Sequence, residues 1–366
     1  MEKIKVNLTK TEDKSYEIII QDGILKQIPE DLKNENLAHS YVIITDSAVL
    51  PLYGMELYKG FKSQGLNIYL ISFPAGEENK NRATKDKIED EMSQYKIGRD
   101  SEVIALGGGV VGDVAGYVAA TYNRGIPYIQ VPTTLVACVD SSIGGKTGID
   151  TPYGKNLIGA FHQPRRVYID VSTLRTLPEK EIRGGLAEVI KYGVIKDRKF
   201  FEFLEQNMER VFSFDVDVLS HIIKRSCEIK GEVVELDEKE SNLRKILNFG
   251  HTIGHAIEKF FNYTISHGEA ISMGMVAEGK IAAELGLWQE NELNRLISLL
   301  RKAGLPVNLP DTLDSKQIID TMKLDKKARG GKIEMTLPRQ IGEMAEVGGS
   351  YGIRIEEDII SYALPN

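Results

Sequence analysis

The sequence predicts an α/β domain followed by an all-α domain, and two patterns predict it. In the first half, short β-branched and aromatic runs at 16–20, 41–45, 68–72, 103–106 and 128–131 alternate with amphipathic stretches. Alternation of this kind builds a parallel sheet with helices on both faces. From about residue 178 the apolar residues recur at helical spacing instead, through 187–195, 218–229, 246–261 and 270–287, as amphipathic helices require. At 366 residues and 42% hydrophobic composition, the chain can fill two cores, because single cores stop growing well below that size. The expected division is 1–175 and 176–366, within a linker at 171–181 that begins with Ser and Thr and carries Pro178. A cleft is expected between the two. No internal repeat or low-complexity tract is visible, which excludes solenoid and disordered-scaffold readings.

The net charge of −7, without a long block of one sign, repels nucleic acid and anionic membrane, so neither is an expected partner. An anionic ligand therefore needs a local cluster of Lys and Arg. Two cysteines, Cys138 and Cys227, are too few for a disulfide framework or a cysteine-built zinc site. No apolar run approaches the ~20 residues of a membrane span, and the amino terminus is charged throughout, so a cytoplasmic location is expected.

The run at 103–106 reads as a buried strand, followed by Gly107, Gly108, Gly109, Val110, Val111, Gly112 and Asp113 and then an Ala-rich helical stretch. This places Gly-x-Gly-x-x-Gly between a strand and a helix, where bare backbone N–H groups can approach a pyrophosphate. A dinucleotide is the expected guest. The usual pattern is departed from twice: the turn is not in the first strand-helix unit, and no acid lies about 20 residues beyond it. Asp46, at the end of the second candidate strand, is positioned to serve the adenosine ribose instead. The competing reading is close helix-sheet packing alone. A second glycine-rich run, 141–147, ends in Gly144, Gly145, Lys146 and Thr147 like a triphosphate loop, but Asp140 stands where that loop needs its first glycine. Lys146 remains a good site for a smaller anion.

Of six histidines, His251, His255 and His267 fall within one short window. His251 and His255 are four apart and share a helix face, the spacing of a metal site. Thr252 stands where a metalloprotease would carry its glutamate, so that chemistry is excluded. If the segment is helical throughout, Glu240, Arg244, Asn248, His251 and His255 fall within roughly an 80° arc, with Phe249, Ile253, Ala256 and Phe260 packing the other side. Surface stripes are usually Lys and Glu; this one mixes Asn and His between glycines. Glu188, on an apolar stretch where a lone carboxylate is costly to bury, is the best candidate third ligand, and Lys191 faces the same cavity one turn on. A purely structural Glu188–Lys191 pair is the alternative.

Taken together, the segments at 107–113, 139–147, 185–191, 248–255 and 267–270 resemble the 3-dehydroquinate synthase family, in matching order over nearly the whole chain. The resemblance implies an NAD-binding α/β domain, a helical metal-binding domain and a homodimer. It implies zinc or cobalt held by Glu188, His251 and His267, leaving His255 for acid-base or substrate-binding work. For NAD it implies Asp46, the turn at Gly76, Glu77 and Lys80, the run from Gly109 through Val110, Val111 and Gly112 to Asp113, Thr133, Thr134, Lys146, Lys155, and Thr173, Leu174, Arg175 and Thr176. Substrate contacts fall on Asp140, Lys146, Asn156, Lys191, Lys230, Arg244, Asn248 and His255. Glu240 is a proton acceptor, Lys146 and Lys191 join it in catalysis, Arg124 reaches the neighbouring subunit, and one of Lys326 and Lys327 joins from a carboxy-terminal loop. Gly184, where an Asn is common, and Asn123, where a Met is common, are the departures.

The implied reaction converts 3-deoxy-D-arabino-heptulosonate 7-phosphate into 3-dehydroquinate and phosphate through transient oxidation by NAD, phosphate elimination, reduction and aldol closure. A sibling sugar-phosphate cyclase would share fold, NAD and metal, although the 140–146 segment favours dehydroquinate synthase. A metal-dependent polyol dehydrogenase would need no lysine set for phosphate, and a catalytically dead binding module would not keep every ligand and acid-base group.

Overall fold

A computed structural model of the chain describes residues 13–323 and 333–365. The first half forms β1 (Glu17–Gln21), α1 (Ile28–Glu35), β2 (Ser40–Asp46), α2 (Met55–Ser63), β3 (Ile68–Phe73), α3 (Arg82–Gln94), β4 (Ser101–Gly107), α4 (Gly109–Thr121), β5 (Tyr128–Pro132), a hairpin of β6 (Lys146–Thr151) and β7 (Gly154–Phe161), and β8 (Arg166–Asp170). Six of these strands make one parallel sheet in the order β1-β8-β5-β4-β2-β3.

Both faces of this sheet are covered, which is why its strands read as continuous apolar runs. In β2, Val42 and Ile44 pack with Val111, Val114 and Val118 of α4 and Ile88 and Met92 of α3. Tyr41 and Ile43 pack on the opposite side with Ile28 and Leu32 of α1 and Leu57 and Phe61 of α2. The strand order reverses between β2 and β4, since the chain runs from β2 outward to β3 and then returns to build β4, β5 and β8 on the other flank. Ligands of such sheets bind at this switch point, outside the carboxyl ends of the strands. Asp46 ends β2 and the glycine turn follows β4, side by side at that edge.

The second half forms α5 (Glu179–Lys196), α6 (Arg198–Phe212), α7 (Val216–Leu236), α8 (His251–Phe260), α9 (His267–Glu284), α10 (Glu290–Lys302), α11 (Ser315–Lys323), the strands β9 (Ile333–Met335), β10 (Pro338–Gln340), β11 (Glu343–Met344) and β12 (Ile353–Ile355), and α12 (Glu357–Ala363). Its core runs without interruption into Leu135, Val139, Val167 and Ile169 of the sheet domain. The paired strands β9–β12 and β10–β11 are additions to an otherwise helical domain, too short to show alternation in the sequence. No helix among the described residues is long and apolar enough to cross a membrane.

Three features differ from the sequence expectations. The strand β8 and the β6–β7 hairpin fall in a stretch that showed no strand pattern. The stretch 246–261 is not one helix: a 3-10 turn, Leu243–Asn248, is followed by Gly250 at φ 79, and α8 begins only at His251. Glu240 lies outside any helix at φ 59, so the five-residue helical arc does not exist as drawn. Lys326 and Lys327 lie outside the described residues.

Glu102 on the central strand β4 is fully buried, with Arg165 Nη1 at 3.2 Å. Burial pushes its carboxyl up to about 7, against the pull of Arg165. The folded chain therefore holds a proton there that the unfolded chain, near 4.5, releases; stability falls as pH rises through that window and levels off above it. Glu102→Gln is expected to remove this slope and to stabilise the chain at pH 8 by on the order of 1–3 kcal/mol, with little change at pH 5. Thermal melts of both chains between pH 5 and 8 check this; parallel slopes would refute it.

Candidate active site

At the carboxyl edge of the sheet, α4 starts at Gly109 with no side-chain cap on its first turn, leaving N–H groups and the positive helix end open to an anion. A Cβ on Gly108 would stand 3.0 Å from Thr134 Cγ2, and one on Gly109 3.1 Å from Ser141 Oγ. The turn therefore packs against the residues that follow β5, and Thr133 and Thr134 lie beside it. Gly76, at φ 117, leads a 3-10 turn, Glu77–Asn79, after β3, and Lys80 behind it is buried with its Nζ 2.5 Å from Asp113 Oδ2 and 2.6 Å from Asn156 Oδ1. Thr173, Leu174, Arg175 and Thr176 occupy the 3-10 turn Val171–Thr176 after β8, where Thr176 Oγ1 meets Tyr53 Oη at 2.6 Å. The residues expected to hold a dinucleotide thus gather along one edge. Uncapped helix, glycine turn and flanking threonines suit a pyrophosphate.

Lys155 projects from the hairpin across the cleft. Its Nζ lies 3.6 Å from Glu77 Oε1, 3.5 Å from Glu258 Oε1 and 4.2 Å from the centre of the Tyr263 ring.

On the helical side, α5 supplies Glu188 and Lys191, both about 1% exposed and joined by an ion pair. Glu188 Oε1 lies 3.4 Å from His251 Nε2 and 3.2 Å from His267 Nε2. A tetrahedral ion with bonds of about 2.0–2.1 Å separates its ligand atoms by about 3.3 Å, so the two edges from Glu188 already match such a site, and all three ligand atoms lie within 4.8 Å of one another. His251 Nδ1 lies 3.1 Å from the carbonyl of Phe249; donating there leaves Nε2 its lone pair, the form that binds metal. Burial and the Lys191 charge hold His251 below its ordinary value, which also favours the neutral ring. A second trio, His255, Glu258 and His267, shares His267.

Three devices fix these histidines. The carboxylate of Glu278, buried on α9, accepts the N–H of Gly250 at 2.6 Å and of Ile253 at 3.1 Å, anchoring the first turn of α8. A Cβ on Gly274 would stand 2.0 Å from the Gly250 carbonyl, so only glycine lets α8 and α9 approach this closely. His267 opens α9 behind a capping box of Ser266 and Glu269, which sets its backbone.

Beside the trio lies a cationic group. Lys230 on α7 donates to Asp140 Oδ1 at 2.8 Å and to the Asp140 carbonyl at 2.5 Å. Tyr192 Oη, completely buried, donates to the same Asp140 carboxylate at 2.6 Å. Burial alone would raise Asp140, but Lys230 and Lys191 hold it well below the usual carboxylate range. Lys230 is lowered by burial and by the charges of Arg244 and Lys191, despite Asp140. Arg244, 2% exposed, makes no ion pair among the described residues; it donates to the Glu238 carbonyl, and its Nε has no partner. Gly144, at φ 92, gives it room, since a Cβ there would be 2.7 Å from Arg244 Nη2. Across the cleft Lys146 Nζ meets Glu240 Oε2 at 2.5 Å, and Asn248 Nδ2 meets Glu240 Oε1 at 2.7 Å.

The structure therefore brings together Asp140, Lys146, Glu188, Lys191, Lys230, Glu240, Arg244, Asn248, His251, His255 and His267. It does not bring Arg124 to this cleft, because α4 runs from the cleft edge back to the opposite edge of the sheet, where Arg124 follows it. Sequence reasoning missed Tyr192, Glu258 and Glu278. The latter two carry a usable signal, an acid within a stretch otherwise built for burial.

Comparison with known proteins gives a consistent picture. The family models described as 3-dehydroquinate synthase N-terminal and 3-dehydroquinate synthase C-terminal match residues 70–184 and 185–328. A relative from Thermodesulfovibrio yellowstonii named 3-dehydroquinate synthase is 49% identical over 94% of this chain and 95% of its own. Among solved structures, 2-epi-5-epi-valiolone synthase from Streptomyces hygroscopicus subsp. jinggangensis, with NAD+ and Zn2+ bound, superposes with a TM-score of 0.87 at 28% identity, covering 98% of each chain. A 2-deoxy-scyllo-inosose synthase complexed with carbaglucose-6-phosphate, NAD+ and Co2+ superposes with a TM-score of 0.86 at 28% identity, covering 94% of this chain and 95% of its own.

Proposed function

The chain belongs to the 3-dehydroquinate synthase family, and from that premise we propose how its residues convert 3-deoxy-D-arabino-heptulosonate 7-phosphate into 3-dehydroquinate and phosphate. The observation that carries the proposal is the packing of three buried cations, Lys191, Lys230 and Arg244, beside the Glu188, His251 and His267 trio, in a chain whose net charge is −7. Such a cluster suits a ligand with both a carboxylate and a phosphate.

Glu188, His251 and His267 would hold one divalent metal, and the edge from Asp46 through Gly109–Asp113 to Thr176, with Lys80 and Lys155, would hold NAD. When bound, NAD takes up and returns one hydride and the metal acidifies the hydroxyl that is oxidised. The remaining work belongs to side chains. Arg244 and Lys230 fix the anionic ends of the substrate, and Asn248 and Asn156 orient its hydroxyls. Glu240, poised between Lys146 and Asn248, accepts a proton, and Lys146 steadies the charge that develops as the C–O bond to phosphate breaks. His255, on the open side of the trio, moves a proton at its ring nitrogen during ring opening and aldol closure. Burial of Glu188, Lys191 and Arg244 keeps water from these charges. Arg124 would act on the site of a second copy in a homodimer, and one of Lys326 and Lys327 would complete the substrate contacts. A cytoplasmic location fits these reactants.

The experiment is a substrate panel. Phosphate release from the heptulosonate phosphate, with none from glucose 6-phosphate or sedoheptulose 7-phosphate, is the expected result; the reverse preference would assign the chain to a sibling cyclase.

A further inference from the structure

The buried carboxylate of Glu258 has no part in the mechanism above, yet three basic groups converge on it. It is 4% exposed, and its Oε2 lies 3.5 Å from His267 Nδ1 and 4.0 Å from His255 Nε2, while its Oε1 lies 3.5 Å from Lys155 Nζ. His267 is held between two acids, Nε2 toward Glu188 at 3.2 Å and Nδ1 toward Glu258.

We propose that Glu258 is a positioning residue that fixes the ring of His267 so that Nε2 faces Glu188 and His251. With a metal at Nε2, the Glu258 carboxylate facing Nδ1 accepts the ring's remaining N–H, holding its orientation and strengthening Nε2 as a donor. Without it, the ring of His267, the first residue of α9, is free to turn about χ2 and present either nitrogen. Lys155 draws on the same carboxylate from the hairpin side, where it also meets Glu77 and Tyr263. Its charge therefore competes with His267 for Glu258, so removing it does not weaken the metal site.

The inference rests on the metal reading given above, and the test separates the two. Cobalt binding is measured by competition with a chelator, together with the visible cobalt spectrum, for the wild-type chain, Glu258→Gln and Lys155→Ala. Glu258→Gln is expected to weaken cobalt by about 10–100-fold and to alter the spectrum, whereas Lys155→Ala does not weaken it. Should Glu258→Gln fail to fold, Glu258→Asp, which draws the carboxylate back by one methylene, is expected to weaken cobalt about tenfold or more. Wild-type affinity in the Glu258 variants, or equal weakening in the Glu258 and Lys155 variants, would overturn this inference alone. Failure of the wild-type chain to bind cobalt at all would overturn the metal reading with it.

Discussion

His251→Ala is expected to abolish tight metal binding and to lower kcat/KM by about 10³-fold or more, whereas His255→Ala is expected to keep the metal and lose activity alone. The magnitude follows from the several kcal/mol that a bound divalent cation contributes to a developing alkoxide, with each ~1.4 kcal/mol worth tenfold in rate. The asymmetry follows from geometry. His251 Nε2 stands 3.4 Å from the buried Glu188 carboxylate, with its other nitrogen at the Phe249 carbonyl. His255 is 41% exposed and faces Glu258 at 4.0 Å, so its removal takes away a proton carrier, typically worth 10²–10⁴-fold. Metal content after dialysis, measured alongside kcat, checks both variants. Metal lost in His255→Ala but kept in His251→Ala would mean that the ion sits instead between His255, Glu258 and His267, and equal loss in both would refute the division of roles.

Arg244→Gln is expected to lower kcat/KM by two to three orders of magnitude, mainly through KM. Arg244 is a guanidinium in a 2% exposed position with no ion pair among the described residues, and such a charge is costly to bury without an anion. An anionic substrate supplies one. Each charge-assisted hydrogen bond lost costs about 1.5–3 kcal/mol, and two of them account for the expected fall. Arg244→Lys is expected to recover only part of it, because an ammonium cannot form the planar two-point contact. Steady-state kinetics in the heptulosonate phosphate measure the effect, and inorganic phosphate as a competitive inhibitor should weaken in parallel. A KM unchanged in both variants would remove Arg244 from the substrate site.

Much of this was legible in the sequence. The parallel sheet announced itself because strands covered on both faces carry unbroken apolar runs, Tyr41–Ile44 in β2 and Val103–Leu106 in β4. The glycine turn, Glu188 and the three histidines were readable because their residue types are improbable where they stand unless they serve a ligand. The wheel that placed Glu240, Arg244 and Asn248 with the histidines reached the right neighbourhood by a wrong path. Gly250 breaks the helix, and Glu240 arrives by a turn held through Asp237, whose carboxylate accepts the N–H groups of Ser241, Asn242 and Arg244. The hairpin of β6 and β7 and the partners of Tyr192, Glu258 and Glu278 were not legible. Each depends on a contact between residues distant in the chain, such as Tyr192 with Asp140 or Glu278 with Gly250, and no local pattern encodes such a pairing.

The central claim is that one cleft holds metal and NAD together and uses NAD without consuming it. The direct measurement is phosphate and dehydroquinate formed from the heptulosonate phosphate with NAD far below the substrate concentration, with and without a strong chelator. The account predicts equal amounts of both products, many turnovers for each NAD, no accumulating NADH, and loss of all activity on chelation. Phosphate that stops at the amount of NAD supplied, with NADH left behind, or activity that survives chelation, would contradict it.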